Sequence, residues 1–246
     1  MTILKRAGSA LVMSAALAGV LALSASSAIA ASHTGVAATW TVKPGGAITA
    51  KAGKTTLTDK STGSVLTCTS SSGKGTAKKG SGLSGTGIAS ISALSFTSCT
   101  GPLGLTFTVH TTHFPWHLNA KTFSGGVTTG TISGIHATLS GPSCSATVDG
   151  TGASANNGTV TAKYSNGTGK LSTAGAGNLH VYNVPTGACA GLIHNGDAVS
   201  FLGSYAVSPK QNITSPGPIE NPRQRHDWAV RDRGGPVTHL ARSGHS

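Results

Sequence analysis

A strict alternation of residue types between Leu105 and Thr112 is the feature that most constrains the fold. The odd-numbered positions carry Leu, Phe, Val and Thr, whereas the even-numbered positions carry Thr and His110. Successive side chains of a strand point to opposite faces. The pattern therefore predicts a strand with one face in the core and the other in solvent.

The phase of this alternation changes near Gly134. Ile132 is even-numbered, whereas Ile135 and Leu139 are odd-numbered. One extra residue in the strand would return both sets to the core. We therefore predict a β-bulge at Gly134.

Composition extends the prediction to the rest of the chain. Thr, Ser, Gly and Val are abundant, and residues 31–215 contain neither Arg nor Glu, so the unbranched side chains that favour helices are scarce. Short candidate strands recur between clusters of Gly, Ser and Asn. We predict an all-β fold, either an antiparallel β-sandwich or a partly closed β-barrel, with almost no helix outside the signal peptide.

Four local expectations follow from the same pattern. Residues 70–87, rich in Gly, Ser and Lys, are expected to form a solvated loop or edge, and residues 88–99 a pair of strands. Inward-facing Cys144, Ala146 and Val148 leave Asp149 pointing outward. The sequences at 156–158 and 166–167 predict hairpin turns.

The chain divides into three segments. Lys5 and Arg6 precede an uncharged run, and Ala28-Ile29-Ala30 supplies small residues for cleavage, so residues 1–30 are expected to be a signal peptide. Residues 31–215 are expected to form a single β-rich domain. Residues 216–246 combine prolines with mixed charges and few apolar residues, which predicts a disordered basic tail.

The four cysteines are expected to form two disulfides. Export would place Cys68, Cys99, Cys144 and Cys189 in an oxidising compartment, where an even number favours disulfides over free thiols. Three pairings are possible. We favour the sequential one, 68 with 99 and 144 with 189, because each bond would link a local group of strands.

Charge limits the partners that are expected. Residues 31–215 contain eleven lysines and three aspartates, a net charge of +8. Such an excess favours anionic cell-envelope polymers or glycans through long-range attraction. Specific nucleic-acid binding is not expected, since this segment lacks arginine and any stacking motif. We also expect no membrane span after signal cleavage, and a monomer or weak oligomer.

Histidines supply the candidate metal ligands. His110, His113 and His117 lie close in sequence, with His136 nearby, and grouped imidazoles can bind Zn²⁺ or Cu²⁺. Their spacing matches no known ligand pattern, and Pro115 interrupts the strand between them. We expect surface histidines, no metal site and no cofactor.

Catalysis is not expected either. No Gly-x-Ser-x-Gly elbow occurs, and nothing in the contexts of Asp59, Asp149 and Asp197 suggests the paired carboxylates that glycoside hydrolysis needs. Aspartates in such positions are usually turn formers. We therefore assign no catalytic residue and predict that the protein is not an enzyme.

Aromatic residues give one possible ligand surface. Trp40 and Trp116, with Phe114 and Tyr182, could offer a flat platform for sugar rings, although aromatic residues make up only 4% of the chain and the core also needs them.

Several segments carry a family resemblance. LTCTSSS, SCTGPLGLTFTV, PWHLNA, TTGTISGIHATLSGPSCSATVDGT, NLHVYNV and SYAVSPKQNITSP together resemble uncharacterised small secreted β-rich proteins of Streptomyces and related actinomycetes. The similarity covers roughly residues 1–215, and the tail from Pro216 departs from it. The resemblance implies export and a β-rich fold, and it brings no activity.

These observations favour a secreted, extracellular or cell-wall-associated protein that is not a catalyst. Its expected role is that of a structural or binding module. The alternative is a hydrolase that acts on a cell-envelope polymer.

Overall fold

Residues 39–215 are described by the computed structural model, and they form seventeen strands and two short 3₁₀ helices. The predicted signal peptide and the predicted tail lie outside the described residues. Every pairing between two strands is antiparallel, which confirms the all-β prediction. The strands are β1 (Trp40–Lys43), β2 (Gly46–Ala52), β3 (Thr55–Asp59), β4 (Val65–Ala77), β5 (Gly80–Leu83), β6 (Ala89–Thr100), β7 (Thr106–Thr111), β8 (Trp116–Ser124), β9 (Val127–Ile135), β10 (Ala137–Gly141), β11 (Cys144–Asp149), β12 (Gly158–Ser165), β13 (Lys170–Gly177), β14 (His180–Tyr182), β15 (Val199–Leu202), β16 (Ser204–Ser208) and β17 (Asn212–Thr214), and the helices are Pro102–Gly104 and Ala188–Gly191.

Strand pairing closes into a barrel. One ring of neighbours runs β2, β4, β6, β8, β9, β12, β13, β16 and back to β2. A second ring runs β3, β4, β6, β7, β10, β11, β14, β15 and back to β3, with the bridge between His180 and Ala198 joining β14 to β15. Since both rings share β4 and β6, they are the two halves of one elongated barrel.

The barrel has eight strands in chain order, each paired with the one before it, so it is an up-and-down meander. Six of the eight are interrupted once and therefore consist of two short strands. Barrel strand A is β2 with β3, B is β4, C is β6, D is β7 with β8, E is β9 with β10, F is β11 with β12, G is β13 with β14, and H is β15 with β16.

The two ends of the barrel differ. At the end that we call upper, β1 pairs with β17 and β5 in a separate three-stranded sheet, the lid. The upper half contains the lid, β2, β8, β9, β12, β13, β16 and the part of β4 that pairs with β2. The lower half contains β3, β7, β10, β11, β14 and β15, together with the long connection between β14 and β15.

The bulge predicted at Gly134 is confirmed. Ile132 and Ile135 are both buried, and Gly134 has a φ of +84° between them. In the pairing of β9 with β12, Ser133 lies opposite Thr159 and Ile135 opposite Gly158, so Gly134 has no partner. The left-handed backbone at this position favours glycine, and the extra residue keeps both isoleucines inside the barrel.

The expectation for residues 70–87 is wrong over its first half. Residues 70–77 complete β4, which has β2 and β3 on one side and β6 on the other. Lys74 is exposed while Gly73 is buried. The mixture of Gly, Ser and Lys resembles a loop, but a closed barrel has no edge, and small residues can occupy the inner face of a central strand.

Two other local expectations need correction. Residues 88–99 contribute one long strand, β6, in place of a strand pair. Residues 156–158 are no hairpin turn, because β11 and β12 do not pair with each other and are successive parts of barrel strand F. The turn at 166–167 does join a hairpin, that of β12 and β13.

Both disulfides follow the sequential pairing, which confirms that prediction. Cys68 and Cys99 are directly opposite each other on barrel strands B and C. Cys144 on β11 is bonded to Cys189, which lies in the connection between β14 and β15. The second disulfide therefore links the longest lower connection to the barrel wall. Two disulfides fit an extracellular protein.

Candidate functional site

Lysines and aspartates are distributed unevenly along the barrel axis. The upper half contains nine of the eleven lysines of the described residues and none of their aspartates. The other two lysines, Lys54 and Lys60, flank β3 in the lower half, where Asp59, Asp149 and Asp197 also lie. All eleven lysines are exposed. The upper lysines are Lys43, Lys51, Lys74, Lys78, Lys79, Lys121, Lys163, Lys170 and Lys210.

Five of these lysines form a continuous surface, which we call the lysine face. Strand register brings them together, because Ala206 lies opposite both Lys51 and Lys170. The neighbouring strands are about 4.8 Å apart, so these two lysines are attached about 10 Å from each other. The lysine face consists of Lys51, Lys74, Lys163, Lys170 and Lys210.

The remaining members extend this surface in both directions. Lys51 lies opposite Ser72, two residues from Lys74 on the same strand. On the other side, Lys170 lies opposite Ser165, two residues from Lys163. Lys210 follows β16, and its Nζ donates to the carbonyl oxygen of Gly167 at 3.3 Å. Diagonal neighbours of this kind are within reach of long side chains.

Within the part of the chain that the structure describes, no carboxylate neutralises the lysine face. Among residues 39–215 the ion pairs are His136 with Asp149 and His194 with Asp197, so no lysine there has an acidic partner. The backbone positions of Lys51 and Lys170 are about 10 Å apart, close to the Debye length of about 8 Å at physiological salt. The potentials of the two lysines therefore add, and the surface attracts anions.

Asp149, expected to point outward, is fully buried at 0% exposure. Its Oδ2 accepts hydrogen bonds from Nδ1 of His136 at 2.9 Å and from the backbone amide of Asn156 at 2.9 Å. Its Oδ1 accepts from the amides of Gly150 and Asn157 at 2.6 and 3.1 Å. The expectation failed because barrel strand F is interrupted directly after Asp149, and residues 150–157 fold back over the carboxylate.

These contacts set the ionisation of Asp149. Burial raises the pKa of the carboxyl, but the hydrogen bonds from His136, Gly150, Asn156 and Asn157 lower it more, and the net pKa is below the usual range. Asp149 is therefore an ionised group enclosed by donors. It orders the loop 150–157 and orients the imidazole of His136.

His136 is buried as well, with 7% exposure, although a surface position was expected. Its ring meets that of His113 edge to face, with 4.5 Å between the ring centroids. An aspartate hydrogen-bonded to Nδ1 of a histidine is also found in hydrolases, where the other nitrogen activates a nucleophile. Within residues 39–215 the only hydrogen bond of the His136 imidazole is the one to Asp149.

The three histidines that were weighed as metal ligands are separated. His110 faces outward on β7 opposite Thr138, whereas His117 is exposed on β8 opposite Ser90. His113 lies between the two strands and contacts His136. Across residues 39–215 no three His, Cys, Asp or Glu side chains are grouped closely enough to hold a metal ion.

The other aspartates stabilise turns, as expected for residues of this type. Oδ1 of Asp59 accepts from the amides of Ser61 and Thr62 at 2.8 and 3.0 Å. Oδ2 of Asp197 accepts from the amide of His194 at 2.7 Å. Burial raises the pKa of Asp197, but hydrogen bonds, first among them the one from the backbone amide of His194, outweigh it and lower that pKa.

The aromatic platform is not formed. Trp40 and Trp116 are buried at 2% and 4% exposure, and Phe114 stacks on Trp116 with 4.9 Å between ring centroids. Tyr182 lies apart from them on β14, where its hydroxyl donates to the carbonyl oxygen of Gly150 at 2.9 Å. The chain has few aromatic residues and places both tryptophans in its core, as the alternative interpretation of these residues held.

The sequence analysis did not predict the concentration of lysines in the upper half or the hydrogen-bond network of Asp149. The lysines are spread over the whole segment, and only strand register reveals which of them are neighbours. For Asp149 a local signal was available, because Asp-Gly at 149–150 is followed by Asn156 and Asn157. Asparagine and aspartate commonly bind nearby backbone groups in loops.

Comparisons with known proteins add no assignment. Within residues 39–215 no helix has the length and apolar character needed to cross a membrane. Searches against protein-family models, curated proteins and solved structures found no match to this chain.

Proposed function

We propose that the protein is a secreted, non-catalytic binding module of the extracellular space or cell wall, and that its lysine face docks on anionic envelope polymers. The observation that carries the proposal is the concentration of nine exposed lysines in the half of the barrel that has no carboxylate. An unpaired basic surface of this kind attracts polyanions over long distances.

The barrel suits such a role because it presents the charges on a rigid wall. Lys51, Lys74 and Lys170 belong to paired strands, so their backbones are fixed relative to one another while the side chains adapt. A lysine ammonium is a flexible point charge, which suits phosphate groups repeated along a polymer. The two disulfides support an extracellular location, where such polymers occur.

Binding of a purified teichoic-type phosphodiester polymer at increasing NaCl tests the proposal. The double variant Lys51→Gln/Lys170→Gln should weaken binding and lower the slope of log K against log salt by about 1 for each lysine that contacts the polymer. The double variant Lys54→Gln/Lys60→Gln is the matched control, because it removes the same charge from exposed positions in the other half.

Three results would contradict the proposal. They are equal weakening by both double variants, equal retention on a neutral glucan, and release of soluble polymer fragments during the incubation. The last result would favour the hydrolase alternative.

A further inference from the structure

The interior of the barrel contains a cavity of about 150 Å³. Residues from all eight barrel strands contribute to its wall, together with Val42 and Ile213 of the lid. The surface that the wall presents to the cavity is wholly apolar. An eight-stranded barrel has an interior that its side chains can just fill, or that holds one small ligand when they do not.

The cavity exists because small residues on barrel strands A and B do not fill the interior. Ala50 lies opposite Gly73, and Ile48 lies opposite Gly75, all four on the cavity wall. Gly75 cannot carry a side chain, because a Cβ there would collide with the carbonyl oxygen of Ser90. Strand B therefore supplies backbone to the wall where its neighbours supply Leu and Ile.

Two polar side chains of the wall, Tyr164 and Tyr205, are hydrogen-bonded to neighbouring groups, and Oγ1 of Thr55 is buried without a partner. The hydroxyl of Tyr164 donates to the carbonyl oxygen of Gln211 at 2.9 Å, and the hydroxyl of Tyr205 accepts from Oγ of Ser71 at 2.9 Å. Since no polar atom is exposed at the cavity surface, a charged or strongly polar guest would lose its hydration without replacement. An apolar cavity of this volume stays dry and accepts a molecule such as benzene.

We propose that the barrel interior is a binding site for one small, uncharged, apolar molecule, an aromatic ring or a short alkyl chain of roughly six to eight carbon atoms. This site is separate from the lysine face, and the inference does not depend on the proposed function.

Thermal unfolding of the full chain with benzene, and with benzylamine as a charged analogue, tests the site. Benzene should raise the midpoint of unfolding in a concentration-dependent manner, because a ligand that binds only the folded state stabilises it. Benzylamine should not. Absence of a shift with benzene, or an equal shift with benzylamine, would overturn the proposal.

Two variants locate the binding. Ala50→Leu fills the cavity and should weaken benzene binding by about tenfold or more. Its control is Ala47→Leu, an exposed position on the same strand, which should leave binding unchanged. An equal response in both would place the benzene elsewhere and refute the site.

Leu118→Ala provides an independent test of the site if Ala50→Leu does not fold. Leu118 belongs to the wall, so its truncation enlarges the cavity. This variant should gain binding of naphthalene, which the parent chain should not bind. Failure to gain naphthalene binding, in a variant that still folds, would count against the interior site.

Discussion

The two halves of the barrel share one backbone plan and differ in how they treat polar groups. In the upper half, the lysines point into solvent without a carboxylate partner among residues 39–215. In the lower half, the Asp149 carboxylate is enclosed by donors, and a disulfide links the longest connection to the barrel wall. The upper half therefore offers an exposed basic surface to other molecules, whereas the carboxylates of the lower half stabilise its own loops.

The difference follows from where the barrel strands are interrupted. Barrel strand F continues from β11 to β12 through the loop 150–157, and that loop needs an anchor for its backbone amides. Asp149 supplies it from inside the lower half. The upper connections between β8 and β9 and between β12 and β13 are short turns, so they need no buried charge.

The largest expected effect comes from the Asp149 network. Asp149→Asn removes the charge that accepts four hydrogen bonds, and it leaves buried donors facing an amide. We expect a loss of about 3 kcal/mol in the free energy of unfolding, since breaking a buried charged network is far more costly than breaking an exposed one. Urea denaturation at pH 7 measures it.

A matched change in the upper half sharpens the comparison. Tyr205→Phe removes a buried but neutral hydrogen bond to Ser71 and should cost about 1 kcal/mol. If Tyr205→Phe proved as destabilising as Asp149→Asn, the distinction between a charged lower network and a neutral upper one would be wrong.

An intermediate effect is expected on acidification. The folded pKa of Asp149 lies below its usual value, so the stability it contributes is present above the unfolded pKa of about 3.9 and is lost as pH falls through the folded pKa. Urea denaturation between pH 5 and about 2.5 should therefore show a steeper loss for the parent chain than for Asp149→Asn. Asp197, whose pKa is also lowered, titrates in both chains. Parallel pH profiles would contradict the assignment to Asp149.

Much of the fold could be predicted from local patterns. Alternation from Leu105 identifies the inner face of β7. The change from even-numbered to odd-numbered inward positions locates the bulge at Gly134, and the cysteine order matches the disulfides. Each of these depends on residues that are neighbours in sequence or on a constraint of spacing. Side-chain alternation and a β-bulge each involve only a few consecutive residues, so both can be predicted directly from the sequence.

The candidate sites could not be predicted in the same way, because they depend on register between distant segments. Lys51 and Lys170 become neighbours only through Ala206 of barrel strand H. Asp149 was expected to face outward because it alternates with the inward-facing Val148, and the period-two pattern does not show that the loop 150–157 folds back over it. The role of Gly73 and Gly75 was hidden because a glycine-rich inner strand resembles a loop in composition.

The smallest effect should come from the lysine face. Lys51→Gln/Lys170→Gln removes two exposed charges that have no ion pair, so the free energy of unfolding should change by less than about 0.5 kcal/mol, as for most surface substitutions. Lys54→Gln/Lys60→Gln should behave alike in the same urea titration. A stability loss above about 1 kcal/mol in the first variant only would mean that these lysines support the barrel, and the contrast between an upper half open to partners and a self-contained lower half would then fail.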